Sequence, residues 1–196
     1  FRLEPLRSLI KGIFAMFVKR LAVLVLAGAS GLCAAKDLCS YPDTSGLVSD
    51  TKFASGIRSF FGSEKLTYFS KGHSTADQLM TWLGGPPDEV ERIGDGLMFA
   101  SACRAHSCVE KAAVVMACPN TVIAVGIFYY DLSSVDRPPD WTSRPHLMVY
   151  SADDNPVALG AIQAWAKQAA DGYNETLTTH VRAKSRTGLF GDAQAK

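Results

Sequence analysis

An excess of charge of either sign is missing from this chain. Its 20 lysines and arginines are offset by 19 aspartates and glutamates, for a formal net charge of +1. That balance removes the electrostatic ground for expecting nucleic acid or an anionic membrane surface as a partner. Histidine is scarce as well. The four residues His73, His106, His146 and His180 are scattered, with no i, i+4 pair among them. There is no His-Glu pair of the zinc-hydrolase type, no Gly-x-Ser-x-Gly elbow and no glycine-rich phosphate loop. Zinc hydrolysis, serine hydrolysis and nucleotide chemistry therefore carry no signature. The adjacent carboxylates Asp88-Glu89 and Asp153-Asp154 fall at turns or strand starts, where solvated acids are common. No internal repeat is present, and a 47% hydrophobic content excludes a disordered chain. The chain is therefore expected not to be an enzyme and to use no cofactor and no metal.

Long apolar runs are also lacking. The longest, Leu21 to Leu32, falls short of the roughly 20 residues that a membrane span requires. It follows Lys19 and Arg20 and ends in the small residues Cys33, Ala34 and Ala35. A basic start, an apolar centre and a small-residue end form the layout of a secretory signal peptide beginning at Met16. Cleavage after Ala35 would place Cys33 at the −3 position. Leu32 ahead of Cys33 is not the small residue that a lipidation site needs. Residues 1–15 are read as preceding the start, so residues 1–35 are set apart from the fold. The processed chain is expected in the periplasm, with no membrane attachment, as a monomer or homodimer.

Five cysteines are present, and removal of Cys33 leaves Cys39, Cys103, Cys108 and Cys118. An even number in an exported chain reads as two disulfides. Four cysteines allow three pairings, and the sequence alone does not choose among them. The Cys103–Cys108 loop is the cheapest to close, which would leave Cys39 for Cys118.

Two apolar patterns have helical spacing. Phe53, Ile57, Phe60 and Phe61 share a face, with Ser49 or Asp50 as a cap and Gly62 as a stop. Leu79, Met80 and Leu83 follow Ser74 as N-cap and Asp77 at N3, and Gly84-Gly85-Pro86-Pro87 ends that pattern. Strand signals then take over. "DEVERI" and "LMFASAC" flank Gly94-Asp95-Gly96, while "VEKAAVVMAC" and "TVIAVGIFYYD" flank Pro119-Asn120. Both read as hairpins. A proline-rich loop occupies 137–145, and "HLMVYS" reads as a fifth strand. A helix with Pro156 at N1 runs to Gly172. The predicted fold is α+β: an antiparallel meander of about five strands with helices packed on it. The domain is expected over 36–180, with a disordered basic tail over 181–196. "NET", 174–176, matches a glycosylation sequon.

Between the hairpins lies "CRAHSC", residues 103–108. Four residues between the cysteines and strands on both sides exclude a thioredoxin-type site, which needs two residues and a helix N-terminus. A disulfide here would remove both thiolates from zinc coordination. What remains is a stiff protrusion. Closing it by a disulfide removes on the order of 2 kcal/mol of loop entropy, a cost then met before binding. His106 offers an imidazole that donates from both nitrogens when protonated, and Arg104 adds a permanent positive charge. A cationic tip suits a cleft lined by two carboxylates, as in glycoside hydrolases.

"SACRAHSC", 101–108, resembles the signature Ser-Ala-Cys-Lys-Pro-His-Asp-Cys of the Ivy-type inhibitors of vertebrate (chicken-type) lysozyme. The surrounding order is similar too: "GHSTADQLMTWLGGPP", "RIGDGLMFASAC", "VEKAAVVMAC" and "DGYN", over roughly residues 48–175. The resemblance implies a periplasmic inhibitor whose disulfide-closed loop enters the active-site cleft. Its partner would be a lysozyme or a lytic transglycosylase. It assigns Arg104, Ala105, His106 and Ser107 to the target-binding loop and Cys103–Cys108 to its closure, with His106 on the catalytic carboxylates. Arg104 stands where the family has lysine, Ala105 where it has proline and Ser107 where it has aspartate. The competing reading is a non-inhibitory envelope module on the same scaffold, using Trp141, Tyr129 and Tyr130.

Overall fold

A computed structural model describes residues 37–68, 71–130, 145–171, 176–184 and 190–192. Segment 1–35, on which the signal-peptide expectation falls, Trp141 with most of the proline-rich loop, most of the 174–176 sequon, and residues 185–189 and 193–196 of the tail lie outside the described residues. The elements are α1 (Thr44–Val48), α2 (Thr51–Phe61), α3 (Thr75–Leu83), β1 (Glu91–Gly94), β2 (Leu97–Arg104), β3 (Ser107–Ala117), β4 (Thr121–Tyr130), β5 (Pro145–Ser151), α4 (Pro156–Asp171), β6 (Thr178–Lys184) and β7 (Phe190–Asp192). A short 3-10 turn, Leu38–Ser40, precedes α1. The fold is α+β. Among the described residues its sheet has seven strands in the order β1 to β7, and only the β5–β6 pair is parallel. Among the described residues no helix is long and apolar enough to cross a membrane.

The helices begin where the capping chemistry dictates. Asp50 caps α2, its carboxylate accepting from Lys52 N–H at 2.7 Å. Ser74 caps α3, accepting from Asp77 N–H while its hydroxyl donates to Asp77. Asn155 Oδ1 accepts from Val157 and Ala158 N–H ahead of Pro156 in α4. Each cap supplies an acceptor for amides that no helical carbonyl reaches.

The central strands read as unbroken apolar runs because both faces of the sheet are covered. One face packs Met98, Ala100, Ala102, Val114, Met116 and Tyr150 against Phe53, Ile57, Leu79 and Trp82 of α2 and α3. The other packs Phe99, Val115, Phe128, Leu147 and Val149 against Ala158, Ile162 and Ala166 of α4. A bulge resets the alternation in β4. Val115 pairs with Ala124 and Met116 with Val122, so Ile123 is the extra residue. Ile123 and Ala124 therefore both face α4. Gly126 lets α4 come close to the sheet: a β-carbon there would meet Ile162 Cγ2 at 2.5 Å.

Two expectations change. The sheet has more than five strands, and residues 181–184, assigned to a disordered tail, lie inside β6. The basic residues that suggested a frayed end are engaged. Arg182 pairs with Glu64, and Lys184 Nζ donates to the Phe60 carbonyl at 3.1 Å. These bonds tie β6 to α2 and the segment after it. The segment ahead of α1 is also pinned, by the Cys39–Cys118 disulfide and by Leu38 N–H donating to Asn120 Oδ1 at 3.2 Å.

Candidate functional site: the disulfide-closed hairpin

The stretch 103–108 is the tip of the β2–β3 hairpin. Arg104 ends β2, Ser107 begins β3, and they pair across a two-residue turn of Ala105 and His106. Both turn residues are exposed. His106 has φ +64°, the only positive value at a non-glycine among the described residues. A left-handed backbone at such a residue costs roughly 1 to 2 kcal/mol. Cys103 and Cys108 are joined, with Cα atoms 4.7 Å apart. Among the described residues His106 has no hydrogen-bond or ion-pair partner, so its imidazole is presented to solvent.

The neck of the hairpin is irregular, and the irregularity has a use. Arg104 pairs with Ser107 but Cys103 pairs with Lys111, so β3 carries Cys108, Val109 and Glu110 as extra residues. That excursion brings Glu110 to Arg104. Nε and Nη2 of the guanidinium both reach Glu110 Oε2. Glu110 is buried, at 6% exposure. Its position in the sequence puts Arg104 on the tip beside His106 as a second cation. Its charge is instead neutralised within the neck, because a buried carboxylate demands a counter-charge.

A second support comes from the glycine-proline stop after α3. Gly85 lies directly against the Cys103–Ala105 backbone. Pro87 bridges to Ala102, and Asp88 N–H donates to the Ser101 carbonyl at 3.2 Å. Thr44 completes the seam, its buried hydroxyl donating to the same carbonyl at 2.6 Å. The chain leaving α3 thus covers the edge of β2 that β1 leaves open. The sequence showed "GGPP" only as a helix terminator.

The remaining candidates sort differently. His146 and His180, scattered in sequence, meet in space: Nδ1 of His146 is 3.3 Å from Nε2 of His180. Their ring planes differ by 20° with centroids 5.6 Å apart, and His146 lies against Tyr129 at 5.4 Å. The parallel β5–β6 register places them together, with Met148 opposite His180. Among the described residues no group of three or more metal-ligating side chains forms. Tyr130 is buried in the sheet's α4 face, and Tyr129 is half-buried against Tyr68. Neither offers the exposed aromatic face that the competing reading needs.

One buried polar pair stands apart. The hydroxyls of Tyr68 and Tyr150 lie 2.6 Å apart. Burial pushes the Tyr150 phenol up to about 12, and it raises Tyr68 too, with the neighbouring Tyr150 adding to the effect.

Comparison with family models, with curated proteins and with solved structures yields no match.

Proposed function

We propose that this chain is an exported inhibitor of a peptidoglycan-cleaving glycosidase of the lysozyme type. The 103–108 hairpin enters the enzyme's cleft, and His106 hydrogen-bonds its two carboxylates. The chain works in the periplasm by occupying the cleft and turns over no substrate. Its target is a chicken-type lysozyme or a lytic transglycosylase.

One observation carries this reading. An exposed, unpartnered imidazole sits at the tip of a hairpin held by a disulfide, an internal ion pair and a glycine-seated edge. Such stiffness lowers the ordering cost of inserting a loop. With the Arg104 charge held in the neck by Glu110, the proposal gives tip recognition to His106, with Ala105 and Ser107 shaping its approach. A hydroxyl at Ser107 both donates and accepts, which a carboxylate at that position does not.

The test is a titration of the processed chain against chicken-type lysozyme and a panel of lytic transglycosylases. Inhibition of at least one enzyme is expected, with His106→Ala weakening it about a hundredfold at unchanged thermal stability. Equal inhibition by that variant, or none across the panel by the parent, would reject the proposal.

A further inference from the structure

We infer that a groove between α4 and the β1–β2 edge is a docking site for lysine or arginine side chains of a partner polypeptide. The inference goes beyond the hairpin reading and stands whatever the tip does. The groove encloses about 610 Å³. Its floor is aromatic: Trp165 of α4 meets Phe99 of β2 edge-on, with centroids 6.2 Å apart. Its rim is acidic and carries Asp88, Glu89 and Glu91, all exposed. None of the three carboxylates has an ion-pair partner among the described residues.

Asp88 is held in place. Its Oδ2 accepts from the Ser101 hydroxyl at 2.5 Å, and its carbonyl accepts from Thr44 N–H at 3.1 Å. Ser101 is 4% exposed, so this anchor is part of the core edge. A cation, Lys111, stands in an adjoining hollow of about 270 Å³ that shares Asp88 and Trp165.

Lysine and arginine fit this combination for a physical reason. Their apolar stems cover aromatic surface while the charged head stays at the polar rim. A guanidinium also stacks on an indole face. A neutral sugar would use the indole but leave three like charges unrelieved, and an anion would be repelled.

The experiment is a titration of the full processed chain with an end-blocked tetra-arginine peptide at about 50 mM salt, where surface charges are weakly screened. One-to-one binding is expected. The double variant Glu89→Gln/Glu91→Gln should bind about tenfold more weakly, as loss of two exposed charge contacts implies. Ala164→Lys tests the same point without touching the core, since Ala164 is exposed on the groove wall. Its ammonium should take the carboxylates and weaken the peptide at least tenfold. His106→Ala should leave the peptide affinity unchanged, which keeps failure here separate from failure of the hairpin reading. Unaltered affinity in Ala164→Lys, loss in His106→Ala, or displacement of the peptide by a neutral chitin tetramer would each overturn the inference.

Discussion

A β-carbon placed on Gly85 would stand 2.0 Å from the carbonyl oxygen of Cys103 and 2.7 Å from the amide nitrogen of Ala105. Both are backbone atoms, so no side-chain rotation relieves the overlap. The segment after α3 and the neck of the hairpin are therefore in contact at a distance that only glycine permits. Gly85→Ala must move one of them. A loss of about 2 to 4 kcal/mol is expected, read from the midpoint of urea unfolding, together with weaker inhibition of the target enzyme. Full stability with full inhibition would mean that the two segments are not in contact in solution.

The Arg104–Glu110 pair has a different energetic character. Its carboxylate is buried while the guanidinium is partly exposed, at 7% and 30% for the side chains. Removing Arg104 strands a buried charge, so Arg104→Ala should cost about 1 to 3 kcal/mol after allowance for solvent near the guanidinium. Arg104→Ala/Glu110→Ala should cost less than the two single variants summed. A double-mutant cycle is the measurement, and a coupling below about 0.3 kcal/mol would show that the ion pair does not form.

A change at His106 should separate stability from the recognition proposed for the tip. With φ at +64°, glycine there relieves strain that histidine carries. His106→Gly should leave unfolding stability unchanged or raise it by up to about 1 kcal/mol, while inhibition is lost. A destabilised His106→Gly would show that the imidazole is packed against its own protein.

The two disulfides should differ in what they contribute. Cys39 and Cys118 are 79 residues apart in sequence and Cys103 and Cys108 only 5. In the chain-entropy model the long closure contributes about 4 to 5 kcal/mol and the short one about 2 kcal/mol. Serine replacement of each pair, followed by thermal melting, gives the comparison. The Cys103→Ser/Cys108→Ser variant should keep its melting transition and lose inhibition. An equal fall in stability for both variants would contradict this ordering.

Alkaline stability should follow the Tyr68–Tyr150 pair. Burial raises both phenols above the usual value near 10, with Tyr150 at about 12. A group whose pKa is raised by folding contributes stability that is complete below its unfolded pKa. That contribution falls as pH climbs past the unfolded value towards the folded one. Melting temperature should therefore hold to about pH 10 and drop between about pH 10 and 12. Tyr150→Phe should flatten that drop. An unchanged profile in the variant would show that another group governs it.

Much of the architecture was legible along the chain. Asp50, Ser74 and Asn155-Pro156 announce their helices because capping is a matter of three or four neighbouring residues. Gly94-Asp95-Gly96 and Pro119-Asn120 announce their hairpins for the same reason. The brackets of "CRAHSC" point to a closed loop because a short disulfide is a local object. The 3-10 turn at Leu38–Ser40 and helix α1 were not legible. Their turn-rich residues carry no apolar period, and they are held by bonds to distant residues, Asn120 and Asp88.

The sequence by itself determined the caps, the turns, the apolar strand runs and the histidine between two cysteines. Each rests on interactions within a few residues of chain. Only the tertiary structure decided that Arg104 belongs to Glu110, that Gly85 seats the neck, that His146 meets His180 and that residues 181–184 lie in a sheet strand. Those outcomes depend on a bulge that shifts register and on a parallel pairing reached through α4. Such long-range pairings are chosen by the burial of whole faces, which no local run of residues encodes.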